Sequence, residues 1–376
     1  MSFSVEGYLD ELRPLINVDC GTFTLDGIEQ VADIMSAKYQ QMGWSVEKVA
    51  LDRAGCGVIA RNKPEAAHID VMLIGHMDTV FPVGTAAERP MSEDDVNVYG
   101  PGVSDMKAGL LNVVYAMRGL NQTVLDKLSI AVCMNPDEET GSNYSAEWLK
   151  SVAKNAKTVL VAEPARANGS LVKARKGIAG YDIEFIGKAA HAGNEPEKGR
   201  SAIHEMAHWI TTISAMTNFE TGTTFNFGIV SGGTAGNVVA ENAKADLDIR
   251  FWSNEDYTAV EVKLAAMAEQ PSIDGVQVVL KRNAYKPAMT PSAKTEELMV
   301  LVEECGKDVG INVEWMAVGG GSDGNTTALV CDAVLDGFGP IGGGLHTNDE
   351  YLVKDSIEPR IKLLQQVITK LAEQTA

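Results

Sequence analysis

Val71-Met72-Leu73-Ile74 is an unbroken apolar run closed by Gly75-His76-Met77-Asp78, and it constrains this chain more than any other stretch. Side chains alternate between faces along a strand, so four apolar residues in a row need cover on both sides. That is the pattern of a buried strand in a sheet sandwiched by helices, with Gly75 expected to turn the backbone at its carboxyl end. In open α/β sheets ligands collect at that end. Here it carries His76 and Asp78. An imidazole that binds a metal through one nitrogen needs an acceptor on the other, and a carboxylate two residues away supplies one. A His and an Asp on an exposed turn make the same local pattern, so the rest of the chain has to discriminate.

Strands and helices continue to alternate. Helices are expected over 3–17, 25–42 and 105–120, and strands near 44–50, 56–61, 128–134 and 158–162. Ser104 is the expected N-cap of the third helix, and Asp105 opens that helix after the Gly100-Pro101-Gly102 loop. Beyond Lys173 the order changes to strand 175–186, helix 200–217, strands 224–231 and 237–252, helix 255–269 and strand 276–283. That is β-α-β-β-α-β, the ferredoxin-like order, complete in itself. Helices at 293–309 and 355–373 follow, with Gly-rich loops at 318–325 and 342–346. The fold class expected is α/β with two domains. Residues 1–174 and 287–376 form a discontinuous α/β/α catalytic domain, and 175–286 form an inserted ferredoxin-like lid.

Composition narrows the partners. The 376 residues carry 32 basic and 51 acidic side chains, a net charge of -19, which repels nucleic acid and anionic membranes. At 45% hydrophobic residues the chain can bury a large core. Five scattered cysteines without a Cys-x-x-Cys pair argue against a disulfide or thiolate–zinc framework. The start of the sequence has no signal-peptide pattern and no segment is long enough to span a bilayer, so a cytoplasmic location is expected.

The polar residues at expected strand ends are His76, Asp78, Asp105, Glu138, Glu139, Glu163 and, far downstream, His346. Two imidazoles with several carboxylates suit zinc or a similar divalent ion. They are too many for one tetrahedral ion, whereas two ions sharing a bridging carboxylate would use them, and Asp105 is the natural bridge. Of the adjacent pair Glu138-Glu139, one can ligate while its neighbour stays outside the coordination sphere as general base.

Together these blocks carry a resemblance. Gly75-His76-Met77-Asp78-Thr79-Val80, Gly100-Pro101-Gly102-Val103-Ser104-Asp105-Met106-Lys107-Ala108-Gly109, Asp137-Glu138-Glu139-Thr140-Gly141-Ser142 and Glu163-Pro164 resemble, in order, the signatures of the co-catalytic zinc metallopeptidases. That is the M20 family of glutamate carboxypeptidase, succinyl-diaminopimelate desuccinylase, acetylornithine deacetylase and aminoacylase. The resemblance implies two zinc ions, with cobalt or manganese as substitutes. It assigns His76 and Glu163 to one ion and Glu139 and His346 to the other, with Asp105 as bridge, Asp78 orienting His76, Glu138 as acid/base, and a cis peptide after Asp105. It further implies that His191, in Gly187-Lys188-Ala189-Ala190-His191-Ala192-Gly193, polarises the scissile carbonyl in a partner subunit's site, so that two chains pair through the inserted domain. Asn237 and Arg250, on successive lid strands, match positions that hold a substrate carboxylate. The Gly319–Ser322 loop, with Gly320 and Ser322, offers backbone N–H groups to the same carboxylate.

The expected reaction is hydrolysis of an amide bond next to a free carboxylate. The Cys20-Gly21-Thr22 and Arg175-Lys176-Gly177 segments resemble the glutamate carboxypeptidase branch most, which implies release of a C-terminal amino acid, glutamate being the candidate, from a peptide or N-acyl conjugate. An N-acyl-amino-acid deacylase or a dipeptidase is the alternative within the family. Outside it stand a non-catalytic metal-binding scaffold and an H-E-x-x-H protease. The second is suggested by His204-Glu205-Met206-Ala207-His208 on a helix whose buried face is expected to be Ile203, Ala207, Ile210 and Ile213.

Overall fold

The computed structural model describes residues 3–375. They divide into two compact units. The first comprises residues up to Ala174, Pro291–Val318 and residues from Ser322 on; the second comprises Arg175–Thr290 with Gly319–Gly321.

The first unit is built on a six-stranded sheet in the order Ser45–Ala50, Cys56–Arg61, Ile130–Asn135, Ile69–His76, Ala156–Val161 and Val334–Leu335. The two outer strands on one side are antiparallel, and the four around the central Ile69–His76 strand run parallel. Every residue of Ile69–His76 and of Ile130–Asn135 is buried, as a continuously apolar strand between two helical layers must be. The core that covers them draws on helices Val5–Ile16, Leu25–Gln41, Ala108–Gly119, Ala293–Asp308 and Ile357–Gln374.

Two local readings change. The backbone does not turn at Gly75: the strand continues to His76, and Gly75 pairs in register with Met134. A Cβ there would stand 2.6 Å from both Leu110 Cδ2 and Met106 Cε, so the glycine makes room for side chains packed above the strand. Nor does the third helix start at Asp105. It begins at Ala108, and Val103–Lys107 form one distorted turn in which Asp105 (φ -111, ψ 93) and Met106 (φ -132, ψ 35) are non-helical and joined by a cis peptide. Ser104 caps nothing; its hydroxyl is buried without a partner.

A small antiparallel sheet orders Gly342–Gly343, Tyr351–Val353, Asn97–Tyr99 and Ser92–Glu93. Its pairing of Tyr351 with Tyr99 zips the segment that ends at Asp105 against the segment that holds His346.

The second unit is a four-stranded antiparallel sheet ordered Thr224–Gly232, Asn242–Phe251, Gly177–Ile186, Gln277–Lys286, with helices Ala202–Ser214 and Asn254–Glu269. This is the ferredoxin-like strand order. Residues of Gly177–Ile186 alternate between buried and half-buried, the mark of a sheet covered on one face. Phe185 meets Trp209 edge-on at 5.7 Å, and Phe251 stacks on Tyr257 at 4.5 Å, so aromatic pairs tie the sheet to its helices. The strand expected from 237 starts only at Asn242, because residues 233–241 form a loop.

Candidate metal centre

His76 ends the central strand with a side chain 1% exposed. Its Nδ1 lies 3.0 Å from the Asp78 carbonyl and 3.4 Å from Asp78 Oδ1. The backbone carbonyl is therefore the nearer acceptor, which leaves Nε2 as the nitrogen that can ligate. Nε2 faces Asp105 Oδ1 at 3.1 Å and Glu163 Oε1 at 3.6 Å. The Asp78 carboxylate, expected to orient His76, does most of its bonding elsewhere. It accepts from the Thr22 hydroxyl at 2.7 Å and from the backbone N–H groups of Glu138 at 3.1 Å and Glu139 at 3.2 Å. It thereby holds the Glu138–Thr140 turn against the strand end, and Thr22 is a site residue that sequence reasoning passed over.

On the other side of Asp105, His346 Nε2 lies 3.2 Å from Asp105 Oδ2 and 3.2 Å from Glu139 Oε2. The two oxygens of one carboxylate thus face two imidazoles that are 270 positions apart. His346 adopts φ 63, a left-handed conformation costly for a residue with a Cβ, in a turn opened by Gly344 at φ 64. Its side chain is 55% exposed, whereas those of Asp105, Glu139 and Glu163 are nearly buried. Ligand atoms of His76, Glu138 and Glu163 lie within 4.8 Å of one another, as do those of His76, Asp105 and Glu139.

The electrostatics show what such crowding costs. Burial pulls the His76 imidazole down, but hydrogen bonds to Asp105 and Asp78 and the charge of Glu163 outweigh it and hold it well above its ordinary range. His346 is pushed up to about 10 by hydrogen bonds to Asp105 and then Glu139. Burial followed by the charge of Asp105 drives Glu163 well above the carboxylate range, and burial raises Glu139. Asp105 is held far below that range: burial opposes this, and the two histidines prevail. Five carboxyl groups crowd two imidazoles, a surplus of negative charge in a largely buried space. Divalent cations would relieve that charge directly, and the nitrogen and oxygen donors suit zinc, cobalt or manganese. The residues fit the implied metal.

Glu350, absent from the sequence reading, supports the loop that carries Asp105. It is 1% exposed, and its carboxylate accepts from the N–H groups of Gly102, Ser104 and Asp105 at 2.9, 2.8 and 2.9 Å. Burial pushes its carboxyl up to about 7 against these donors. The sequence holds a weak signal at most, an acid four residues after His346.

Among the remaining expected site residues, Ser322 and Asn237 need correction. Ser322 is fully buried, and its hydroxyl donates to Asp336 Oδ2 at 2.6 Å while accepting from Gly324 N–H at 3.0 Å. Its own N–H goes to Asn325 Oδ1 at 2.8 Å, so a capping box for Asp323–Thr327 uses the groups of Ser322 that were expected to meet substrate. In the second unit, Asn237 sits in an exposed turn and not on a strand, its carbonyl accepting from Ala192 N–H at 3.0 Å. His191 bridges to Val238 beside it. Its Nδ1 accepts from the N–H groups of Gly193 and Asn194, both at 3.1 Å, which leaves Nε2 as the protonated donor of an exposed ring. Arg250 is held in a fork by Asp248 at 2.8 and 3.0 Å. The Gly320 carbonyl accepts from Arg175 at 3.1 Å, and a Cβ at Gly319 or Gly320 would meet nothing within 4 Å.

The H-E-x-x-H segment lies on Ala202–Ser214, with His204 and His208 exposed and Glu205 buried. The buried face is Ala202, Glu205, Met206, Trp209 and Ile213; Ala207 points outward, so the expected face was misplaced by about one residue. Glu205 accepts from Ser272 N–H and Oγ and from Ile273 N–H at 3.1, 2.6 and 2.9 Å, a structural use that turns it away from both histidines.

Imidazoles and carboxylates gathered at the carboxyl ends of a parallel sheet are the layout of a metal-dependent hydrolase. The chain belongs to peptidase family M20/M25/M40, whose sequence profile matches residues 72–370. Carboxypeptidase G2 of Pseudomonas sp. (strain RS-16) is 28% identical over 369 residues, 96% of this chain and 88% of that one. Succinyl-diaminopimelate desuccinylase of Azoarcus sp. (strain BH72) is 26% identical over 323 residues, 81% of this chain and 82% of that one. Among solved structures, aminopeptidase PepT from Bacillus cereus ATCC 10987 shares the fold with a TM-score of 0.80 at 23% identity, covering 98% of this chain and 99% of that one. The M20 family metallo-carboxypeptidase Sso-CP2 from Sulfolobus solfataricus does so with a TM-score of 0.76 at 17% identity, covering 97% and 99%. The helices among the described residues include none long and apolar enough to cross a membrane.

Proposed function

We propose that this enzyme is a two-metal amidohydrolase that releases a C-terminal amino acid, glutamate first among the candidates, from a peptide or N-acyl conjugate. The observation that carries the reading is the Asp105 carboxylate, with one oxygen toward His76 and the other toward His346. His76 and Glu163 would hold one ion, Glu139 and His346 the other, and Asp105 both, with zinc as the native metal. Bound ions supply Lewis acidity and lower the pKa of water. Glu138 stands in the same cluster on a turn fixed by Asp78, placed to take a proton from the attacking water and return it to the leaving amine. His191 presents Nε2–H as donor to the developing oxyanion, in the site of a second copy.

Arg250, Asn237 and the backbone at Gly320 would receive the substrate's carboxylate. Asp248 engages Nε and Nη2 of Arg250, so Nη1 is the part of the fork turned to that task. Pairing of two chains through residues 175–286, the lid, is supported by the edge strand Thr224–Gly232, which leaves Ile229 and Val230 exposed at 66% and 51%. A cytoplasmic site of action goes with this reading. The likeness to a carboxypeptidase over nearly the whole chain favours peptide release, and the desuccinylase relatives favour N-acyl amino acids as the second reading.

The test is a hydrolysis screen with zinc-loaded protein on dipeptides and N-acyl amino acids that vary at the C-terminal residue. Preference for C-terminal glutamate supports the proposal. Equal turnover of substrates whose C-terminal carboxylate is amidated would overturn it.

A further inference from the structure

The Asp105 loop is held by a group far away in the chain as well as by its own backbone. Between Gly100 and Lys107 the backbone is closed by Val103 N–H to Gly100 O at 3.2 Å and by Lys107 N–H to Gly102 O at 3.1 Å. The N–H groups of Gly102, Ser104 and Asp105 point into a buried space, and one carboxylate from the far end of the chain receives all three. That carboxylate belongs to Glu350, which directly precedes Tyr351–Val353, the strand paired with Asn97–Tyr99. The turn that presents His346 lies four residues before Glu350 and is closed by Thr347 N–H to Gly344 O at 3.1 Å. A Cβ at Gly344 would come within 2.4 Å of Asp349 O, so the turn leaves little slack between His346 and Glu350.

We infer that Glu350 is the positioning residue that sets Asp105 and His346 at the spacing their shared metal ion requires, an inference that rests on the two-metal reading. It touches neither substrate nor reacting atoms. Its carboxylate fixes the direction of the Asp105 backbone, and its place in the chain, four residues after His346, ties that loop to the segment carrying the His346 turn. Asp105 faces both imidazoles, so both sites depend on Glu350. The site of Glu139 and His346 depends on it more, because His346 sits on a turn in the same segment as Glu350, whereas His76 ends the central strand. Supporting groups of this kind change metal affinity by about 10–100-fold when removed.

The variants separate geometry from charge. Ser104 and Asp105 both donate to Oε1 and Gly102 to Oε2, so the amide oxygen of Glu350→Gln can retain two of the three bonds. Glu350→Asp keeps the charge but withdraws it by one methylene, and Glu350→Ala removes both. Full-length protein stripped with chelator is titrated with Co²⁺, following visible absorption and competition with a fluorescent chelator. Wild type is expected to take two equivalents. Glu350→Ala and Glu350→Asp are expected to bind both equivalents more weakly, the second by at least tenfold and by more than the first, with an altered cobalt spectrum, while Glu350→Gln, which keeps two of the three bonds, falls between Glu350→Ala and wild type. If Glu350→Ala does not fold, the Gln and Asp pair carries the comparison. Wild-type binding in Ala and Asp, equal weakening of both equivalents, or failure of Gln to rescue would overturn the inference. A wild type that takes fewer than two equivalents would instead bring down the two-metal reading itself.

Discussion

Asp78→Asn changes one atom at a buried crossroads. In the wild type the carboxylate receives Thr22 Oγ1, Glu138 N–H and Glu139 N–H, with His76 Nδ1 at 3.4 Å. An asparagine keeps a single oxygen. Whichever way the amide is turned, its NH₂ faces either the Glu138 or the Glu139 N–H, and that donor loses its acceptor. A buried unsatisfied donor costs about 1–3 kcal/mol, and the bonds that survive fall from charge-assisted to neutral strength, about 1 kcal/mol each. The sum is about 2–4 kcal/mol in metal-loaded protein. It is smaller without metal, because removing one of five carboxylates also relieves repulsion. Denaturant unfolding with excess zinc, and again with chelator, measures both numbers; zinc competition should show affinity lower by about 10–100-fold. A stability within 0.5 kcal/mol of wild type and an affinity within threefold would refute the view that Asp78 organises the Glu138–Glu139 turn.

Glu138→Gln is expected to retain the metal and lose about 10²–10⁴ in kcat, checked by metal analysis and turnover on the same sample. Metal binding should release protons and strengthen as pH rises: the metal-free His346 imidazole holds its proton up to about 10, so near pH 7 the incoming ion must displace it. Calorimetry in buffers of different ionisation enthalpy counts those protons, and a count of zero would refute the exchange. The same shift makes the metal-free protein lose stability as pH climbs. A folded-state value raised above the ordinary 6.5 contributes fully below 6.5 and fades toward about 10, a trend solvent screening weakens at this exposed ring. Replacing His204 and His208 together by alanine should leave metal content and activity unchanged, since the histidines lie on the outer surface of their helix. Glu205→Ala should lower stability by about 2–4 kcal/mol, because three donors at Ser272 and Ile273 lose their acceptor.

Local chemistry along the sequence determined a good deal. An apolar run too long for a one-sided strand required a sheet covered on both faces. The β-α-β-β-α-β order required an antiparallel sheet backed by helices. The ends of such strands are where polar residues converge, so His76, Asp78, Asp105, Glu138, Glu139, Glu163 and His346 could be gathered as candidates, while their division into ligands, orienting group and base rests on the family resemblance. These conclusions follow from periods of two and 3.6 residues and from the short range of turn and cap chemistry. Only the tertiary structure decided what depends on neighbours far away in the chain. Gly75 is needed by Leu110 and Met106, and not by a turn. The Asp105 loop ahead of the Ala108 helix is held by a carboxylate 245 positions on, which accepts the Asp105 N–H. Ser322 is consumed by Asp336, and the Asp78 carboxylate by Thr22 and the Glu138–Glu139 turn, while Asp248 takes two of the three guanidinium nitrogens of Arg250. Whether a polar side chain faces a ligand or satisfies a buried partner depends on what the fold packs against it. Burial makes that choice strict, because a buried donor or acceptor left unpaired costs as much as most single contacts contribute.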